Sequence, residues 1–399
     1  MFKTPAKHCG QGIGHLSNYQ YCVYDKIDGL ESVFTSLKVN DIFFDHAYLK
    51  TIHTLPPKGI KPYLITVSQD TEVVGIVVLQ LTYTRLSENF RKSPFAEGTL
   101  IEKPISVAKN LILKSVNFNT VVCGNLMITG LHGYHFQDRI IEEDAFLLAQ
   151  NAAEYFINHE NLNSALVLFK DFDHTMNGNI NEVASDFTIF QAQPDMKMLM
   201  KKGWNNIDDY KADLKSKYRV RFNKARSEIV PIQKRMLDLD DIQKYTKEIS
   251  ALYRQVSDKA DFNTFILQDG YFTLLKQNLK DLLQITGYFL DDKLIGFHCA
   301  IINNHRLYAH FLGYDKSLNG TYQLYQNMLY DLVDTGIKFK SDVIDFSRTA
   351  IEIKSTVGAK AFDLHLFLKH TNCLVNMMVS PITALLKPEK DYVIRDPFK

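Results

Sequence analysis

Apolar and polar residues alternate along this chain in short blocks whose period switches repeatedly between two and about 3.6 residues. The blocks "KPYLITVSQD" and "TEVVGIVVLQLTYT" are rich in β-branched residues and meet at a polar turn, which predicts a hairpin. "NTVVCGNLMITG" predicts a further strand with the polar exit "LHGYHFQD". "RIIEEDAFLLAQNAAEYFINHE" then predicts a long amphipathic helix with Ile141, Ala145, Leu148 and Ala152 on one face. "NSALVLFKDF" reads as a strand and "DFTIFQAQPDMKMLM" as one or two more. Residues 206–230, "NIDDYKADLKSKYRVRFNKARSEIV", predict a second long helix, with Asp208 or Asp209 near its start to suit the helix dipole.

From about residue 240 the pattern resumes with helices "DIQKYTKEISALYRQV" and "DGYFTLLKQNLK". Three closely spaced strands follow, "LLQITGYFLDD", "KLIGFHCAIINN" and "HRLYAHFLGYD", whose junctions carry the Asp and Asn expected of tight hairpin turns. Next come a helix "GTYQLYQNMLYDLVDTGI", a strand "SDVIDF", a short helix over 349–358 and a last strand "FDLHLFLKH". Alternation of this kind predicts an α/β fold with mixed sheets. The first half is a looser version of the second, so the pattern predicts two copies of one unit. They divide at 1–205 and 206–399, with the 206–230 helix joining them.

Composition adds limits. The 399 residues carry a formal net charge of +1, which excludes a global field drawing the chain onto nucleic acid but leaves local basic patches open. Cys9, Cys22, Cys123, Cys299 and Cys373 are scattered, with no C-x-x-C pair, and read as reduced thiols of a cytoplasmic protein; no metal site is expected. The first twenty residues lack the apolar run of a signal peptide. "CLVNMMVSPITALL" is too short and too interrupted to span a bilayer as a helix, leaving it to cover a core or to lie on a membrane surface. No nucleophile elbow or P-loop occurs, and "GQGIGHL", starting at Gly10, is not read as following a strand.

Four segments carry a resemblance: "LKSKYRVRFNKA" at 214–225, "GYFLDDKLIGFHCAII", "YAHFLGYD" with "YQLYQNMLYDLV", and "IDFSRTAIEIKSTVGA". The last places Ile353 and Lys354 before Gly358. Together with the order of elements, they resemble the GNAT superfamily of acyltransferases. The doubled arrangement is similar to the FemAB-like group of peptidoglycan-bridge aminoacyltransferases and their relatives. The resemblance covers most of the second half and the first half in outline. It implies tandem GNAT-like domains and acyl transfer to an amine. The implied donor is a thioester, acyl-CoA or acyl carrier protein, used as co-substrate rather than as a tightly bound cofactor. The implied acceptor is a small-molecule, lipid or cell-wall-precursor amine, reached in the cytoplasm or at the inner membrane face. Two alternatives stand beside this: transfer from aminoacyl-tRNA to a cell-wall precursor, and an inactive module that binds a lipid or glycan precursor. Where GNAT enzymes usually place a glycine-rich pyrophosphate turn, this chain reads "YDKSLNGTYQLYQ", without Gly-x-Gly. Gly320, Thr321 and Tyr322, opening the predicted helix, are the candidate anion holders there.

Acyl transfer needs proton removal from the amine, stabilisation of the carbonyl oxygen and alignment of the reactants. Lys354 is the first candidate, as an oxyanion holder, a part that the resemblance also implies; a solvated lysine is the structural alternative. Asp345 is a candidate base or positioning partner, and Arg348 either binds an acidic group or pairs with Glu352. Tyr308 and His310 share one face of their strand, opposite Leu307, Ala309 and Phe311, and Tyr314 stands at its exit. His310 is a candidate base and His298, on the next strand, a candidate neighbour. Asn125, His132 and His135 cluster after a first-half strand as candidate substrate contacts at a cleft between the halves. Finally, Lys211, Lys215, Lys217, Arg219, Arg221, Lys224 and Arg226 form either an anion-binding patch or a solvated face.

Overall fold

The computed structural model describes residues 5–12, 16–85, 117–162, 165–173, 180–258, 265–385 and 392–399. They form two compact units, each built on its own mixed sheet. The first comprises residues 1–192, 260–267 and 364–388, and the second 193–259, 268–363 and 389–399.

In the first unit, strands β1 (His8–Gln11), β2 (Tyr19–Tyr24), β3 (Ile60–Gln69), β4 (Glu72–Arg85) and β5 (Asn117–Cys123) follow one another across the sheet. Helices α1 (Glu31–Ser36) and α2 (His46–Thr54) lie between β2 and β3 in sequence. The short β6 (Tyr134–Phe136) pairs with β4, and helix α3 (Glu142–His159) carries the chain to β7 (Ala165–Phe172). β7 runs parallel to β5. The β3–β4 hairpin is the one the alternation predicts. α3 buries Ala145, Leu148 and Ala152 as its periodicity requires, but Ile141 precedes the first turn and is 60% exposed.

The second unit repeats the pattern. After β9 (Asp195–Leu199) come α4 (Ile207–Asp213), α5 (Ser216–Glu228), β10 (Gln233–Met236), α6 (Leu239–Lys244), α7 (Thr246–Ser257) and α8 (Tyr271–Leu279). The meander of β11 (Leu283–Leu290), β12 (Lys293–Asn303) and β13 (Arg306–Tyr314) is antiparallel. Its turns hold Asp291, Asp292 and Asn304 in the left-handed region, which is why these residue types stand there. Helices α9 (Lys316–Tyr322) and α10 (Leu324–Lys338) then lead to β14 (Val343–Asp345), parallel to β13. The short α11 (Ile351–Ser355) and β15 (Lys360–Phe362) complete this unit's run.

Four expectations are corrected. The predicted strand "FDLHLFLKH" is β16 (His365–His370), which pairs with β7 and with β8 (Thr188–Gln191) in the first sheet; α12 (Cys373–Leu385) follows it. The predicted helix over 206–230 is two helices, interrupted where Leu214 and Lys215 are extended, and the chain enters the second unit at Gln193, ahead of both. Antiparallel pairing of β1 with β2 sets Cys9 opposite Cys22, and the two form a disulfide rather than free thiols. The glycine-rich stretch from Gly10 does begin on a strand, β1, which pairs with β2; its residues 13–15 lie outside the described residues. Among the described residues no helix is long and apolar enough to cross a membrane.

One polar network fastens α5 and α10 to the second sheet. Asp331 of α10 accepts from the Tyr288 hydroxyl at 2.5 Å, from Arg226 Nη1 at 2.7 Å and from Lys234 Nζ at 3.0 Å. His298 Nδ1 lies 3.1 Å from the same Tyr288 hydroxyl, and burial holds its ring neutral down to about pH 4. Arg226 and Lys234 outweigh the burial of the Asp331 carboxyl and keep it ionised below the usual carboxylate range. Removing it leaves the part-buried Arg226 and the Tyr288 hydroxyl without their acceptor, while Lys234 remains exposed to solvent. Asp331→Asn is therefore expected to cost about 2–4 kcal/mol and Tyr288→Phe about 1 kcal/mol. Urea unfolding followed by the single tryptophan, Trp204 in the second unit's core, measures both.

Candidate active site

The parallel pairing of β13 with β14 ends at Tyr308 and Asp345, and charged side chains gather at the end of β14. β14 ends at Asp345, which lies opposite Lys197 of the antiparallel β9. Asp345 Oδ1 accepts from Ser347 N at 2.8 Å, turning the chain sharply. Ser347, Thr349 and Ala350 all adopt left-handed φ, of 61°, 68° and 47°. Three such non-glycine residues in four positions store strain on the order of 1–3 kcal/mol each, so the surroundings must hold the loop closed.

Lys354 supplies part of that closure. Its side chain points back from α11, and Nζ donates to Ser347 O at 3.1 Å and to Arg348 O at 2.6 Å. The residue is only 6% exposed, and burial lowers its pKa to about 8 even though Asp195 and Asp345 pull the other way. Asp345, 4% exposed, moves in the opposite sense: burial, then the neighbouring Asp195 charge, push its carboxyl well above the usual range against the pull of Lys197. Asp195 is fully buried, with Lys197 Nζ 3.1 Å from its Oδ2. The cluster thus sets Asp195 beside a second carboxyl, Asp345, that is pushed toward its protonated form, and beside a lysine able to lose its proton just above neutrality. Such an arrangement can give and accept protons at the mouth of the sheet.

Asp195 and Lys197 belong to this cluster and were not singled out by sequence. Their signal was present: in "PDMKML" both charges fall on one side of a strand whose alternate positions are Met196 and Met198. What it lacked was any hint that β9 would sit beside β14.

The other candidates separate. Tyr308 and His310 share a face as expected, since Leu307 and Ala309 pack in the core beneath α10. Phe311, expected with those two, instead contacts Tyr253 and Phe272 of α7 and α8, because the β12–β13 register shifts between His298 and Ala300. His310 Nε2 lies 2.7 Å from the Tyr271 hydroxyl, and burial lowers its pKa to about 3, too weak for the base that its unperturbed value suggested. His298 faces the Asp331 network under α10, whereas His310 faces α8, so the two histidines point to opposite sides of the sheet. Arg348 is half-buried in the strained loop.

A cavity of about 500 Å³ lies between α5, the start of α10 and α11. Lys217, Arg221 and Arg395 line it against one carboxylate, Glu352. Gln326, 6% exposed, also lines it, and its Nε2 has no hydrogen-bond partner among the described residues. Glu352, Ile353 and Thr356 represent the α11 region in the wall, while Lys354 turns the other way into the ionisable cluster. The seven cations of the predicted patch are dispersed. Lys215 pairs with Asp396, Lys224 with Glu228 and Arg226 with Asp331, while Lys217 and Arg221 reach the cavity. Gly320, Thr321 and Tyr322 do not open α10: they end α9, and a left-handed Gln323 separates the two helices. A side chain at Gly320 would meet open space, so no close approach requires glycine there. Tyr314 stands behind the cavity, its ring 6.0 Å from that of Tyr325 in the wall.

Asn125, His132 and His135 belong to the first unit. Asn125 is committed to Gln80, Met127 N and the Tyr48 hydroxyl. His132 is half-buried between Tyr134 and Phe172, and desolvation lowers its pKa to about 4. His135 Nε2 approaches Leu37 O at 3.4 Å. Among the described residues no group of three His, Cys, Asp or Glu side chains is placed to hold a metal ion.

Residues 213–355 match the family model of the acetyltransferase (GNAT) domain. The fold is similar to that of FemX, with a TM-score of 0.53 at 11% identity over 88% of this chain and 98% of FemX. A tandem GNAT protein from the clavulanic acid biosynthesis pathway superposes with a TM-score of 0.49 at 8% identity, covering 89% and 99% of the two chains. Saccharomyces cerevisiae N-myristoyltransferase with bound myristoyl-CoA gives 0.45 at 11% identity, covering 91% and 81%. No curated protein matches the sequence. The match to the GNAT acetyltransferase domain takes in the strained loop, Asp345 and Lys354 but not Asp195 or Lys197, and the fold over most of the chain is like that of FemX.

Proposed function

We propose that the second unit transfers an acyl group from a thioester, acyl-CoA or acyl carrier protein, to the amine of a small-molecule, lipid or cell-wall-precursor acceptor. The observation that carries this reading is the Asp195–Asp345–Lys354 cluster, buried behind a strained loop where β13 and β14 part. The amine nitrogen attacks the carbonyl carbon, the oxygen takes up negative charge, and the C–S bond then breaks. Lys354 has used two of its three donors on the loop carbonyls, and the third is assigned to the developing oxyanion. The proton lost by the amine passes to the Asp195–Asp345 pair, and the one that pair already holds goes to the departing thiolate. The cavity lined by Lys217, Arg221 and Arg395 is assigned to the phosphate groups of the donor, held by side chains in place of a glycine-rich turn.

Lys354→Met is expected to lower kcat by about 10²–10³-fold with an unchanged circular-dichroism spectrum. Retained activity would exclude the oxyanion role. The wild-type rate is expected to fall as pH rises through about 8, where Lys354 loses its proton, and Lys354→Arg should move that limb upward. Unfolding does not explain such a fall. The lysine's folded pKa lies below its unfolded value, so between about 8 and 10.5 the unfolded chain binds more protons and this group's contribution favours folding as pH rises.

Replacing Lys217, Arg221 and Arg395 together by Ser is expected to raise KM for the donor about 10–100-fold with little change in kcat, the effect shrinking at high salt. Assay of both proteins against acyl-CoA, acyl carrier protein and aminoacyl-tRNA identifies the donor. Turnover with the tRNA alone would replace the thioester reading, and turnover with none would overturn the assignment.

A further inference from the structure

Of the three cations in the cavity wall, Lys217 and Arg221 stand on α5, whereas Arg395 lies on the irregular stretch 392–399. A helix holds its side chains through its own backbone hydrogen bonds. An irregular stretch holds one only through whatever anchors it, since every free rotation has to be stopped by a contact. Here Tyr392 and Phe398 pack on the second unit's core, and Val393, Ile394, Arg395 and Asp396 between them are exposed.

The anchors are of two kinds. Val393 N donates to Glu352 Oε1 at 3.1 Å and Arg395 N to Ser355 Oγ at 2.9 Å, both on α11. Beyond Arg395, Lys215 Nζ donates to Asp396 Oδ2 at 2.9 Å and Lys215 N to Pro397 O at 2.8 Å. Surface hydrogen bonds exchange with water and hold little by themselves. The ring of Phe398 is the apolar anchor. Its centroid lies 5.3 Å from that of Trp204 and 5.8 Å, edge-on, from that of Tyr210, with Lys201 Nζ 4.9 Å from its centre. Gly358 completes the socket, because a Cβ there would stand 2.3 Å from the ring. Three residues of chain reach at most about 11 Å, so a seated ring confines Arg395 to the cavity wall.

We infer that Phe398 is a positioning residue for the cavity: seated against Trp204, Tyr210 and Gly358, it holds Arg395 where the donor's phosphate groups bind. This role deepens the reading of the cavity as the donor's phosphate site and rests on it. A phosphate-bearing donor meets the full set of cations only while the ring is seated, so seating and binding favour one another. A ring that merely plugged the core would act on stability and not through Arg395.

Two measurements on the full chain test this. Deuterium uptake read by mass spectrometry follows the anchoring without any ligand. Phe398→Ala is expected to speed uptake over 392–399 about fivefold or more and to change the emission of Trp204, with an unchanged far-ultraviolet spectrum. Phe398→Leu, which keeps an apolar side chain, should stay within about twofold of wild type. Titration calorimetry with inorganic pyrophosphate then reads the cavity. Phe398→Ala and Arg395→Ala should each weaken binding about tenfold or more. The double variant should lose less than about threefold beyond Arg395→Ala, because nothing remains to be positioned. Unchanged uptake, wild-type affinity in Phe398→Ala, or losses that multiply in the double variant would each overturn the positioning role while leaving the cavity's phosphate assignment standing. No binding of pyrophosphate by the wild type would overturn that assignment and the positioning role with it.

Discussion

A buried ammonium holds the second unit's mouth together. Lys354 spans from α11 to the carbonyls of Ser347 and Arg348, and without it three left-handed residues in the loop would lose an anchor. Keeping a charge there is costly, as its lowered pKa shows, and the chain offsets part of the cost with Asp195. Asp195 and Asp345 are themselves too close for both to ionise comfortably, so Asp345 is pushed toward its protonated form. Loop geometry, lysine acidity and carboxyl protonation are consequently one coupled state. Glycine enters at the end of the same segment: Gly358 has φ of +107°, and a Cβ there would stand 2.3 Å from the Phe398 ring.

The doubled fold lets one topology present opposite chemistry. In the second unit the crossover helix α10, between parallel strands β13 and β14, opens onto side-chain cations contributed by α5 and the C-terminal segment. In the first, the equivalent helix α3, between β5 and β7, carries three acids at its start, and the lysine at the end of β7 is consumed by loop carbonyls and Asp171. Fold alone does not set what a parallel strand pair binds; the charges at the helix start and the residues packed over it do.

Much of the architecture was readable because period and turn chemistry are local properties. The β11–β13 meander, its Asp and Asn turns, and the α3 face follow from residues close in sequence. The same locality explains the errors. The basic run at 214–225 could not reveal that Lys215 meets Asp396 or that Arg226 meets Asp331, since those partners come from 105 to 181 residues away. Phe311 was misassigned because a register shift, set by the facing strand, inverts the alternation on β13. His310 looked like a base because its type has a near-neutral pKa, and only its burial made it a poor one.

The sequence by itself determined the α/β order, the doubled unit and the placing of Asp345 at a strand end with Lys354 on the short helix after it, because spacing along a strand or helix dictates which residues share a face. Only the tertiary structure decided that β9 brings Asp195 and Lys197 to them, that β16 returns to the first sheet, and that Cys9 meets Cys22. Strand neighbours far apart in sequence are chosen by which apolar faces can be buried together, and the protonation states of buried charges follow from that choice.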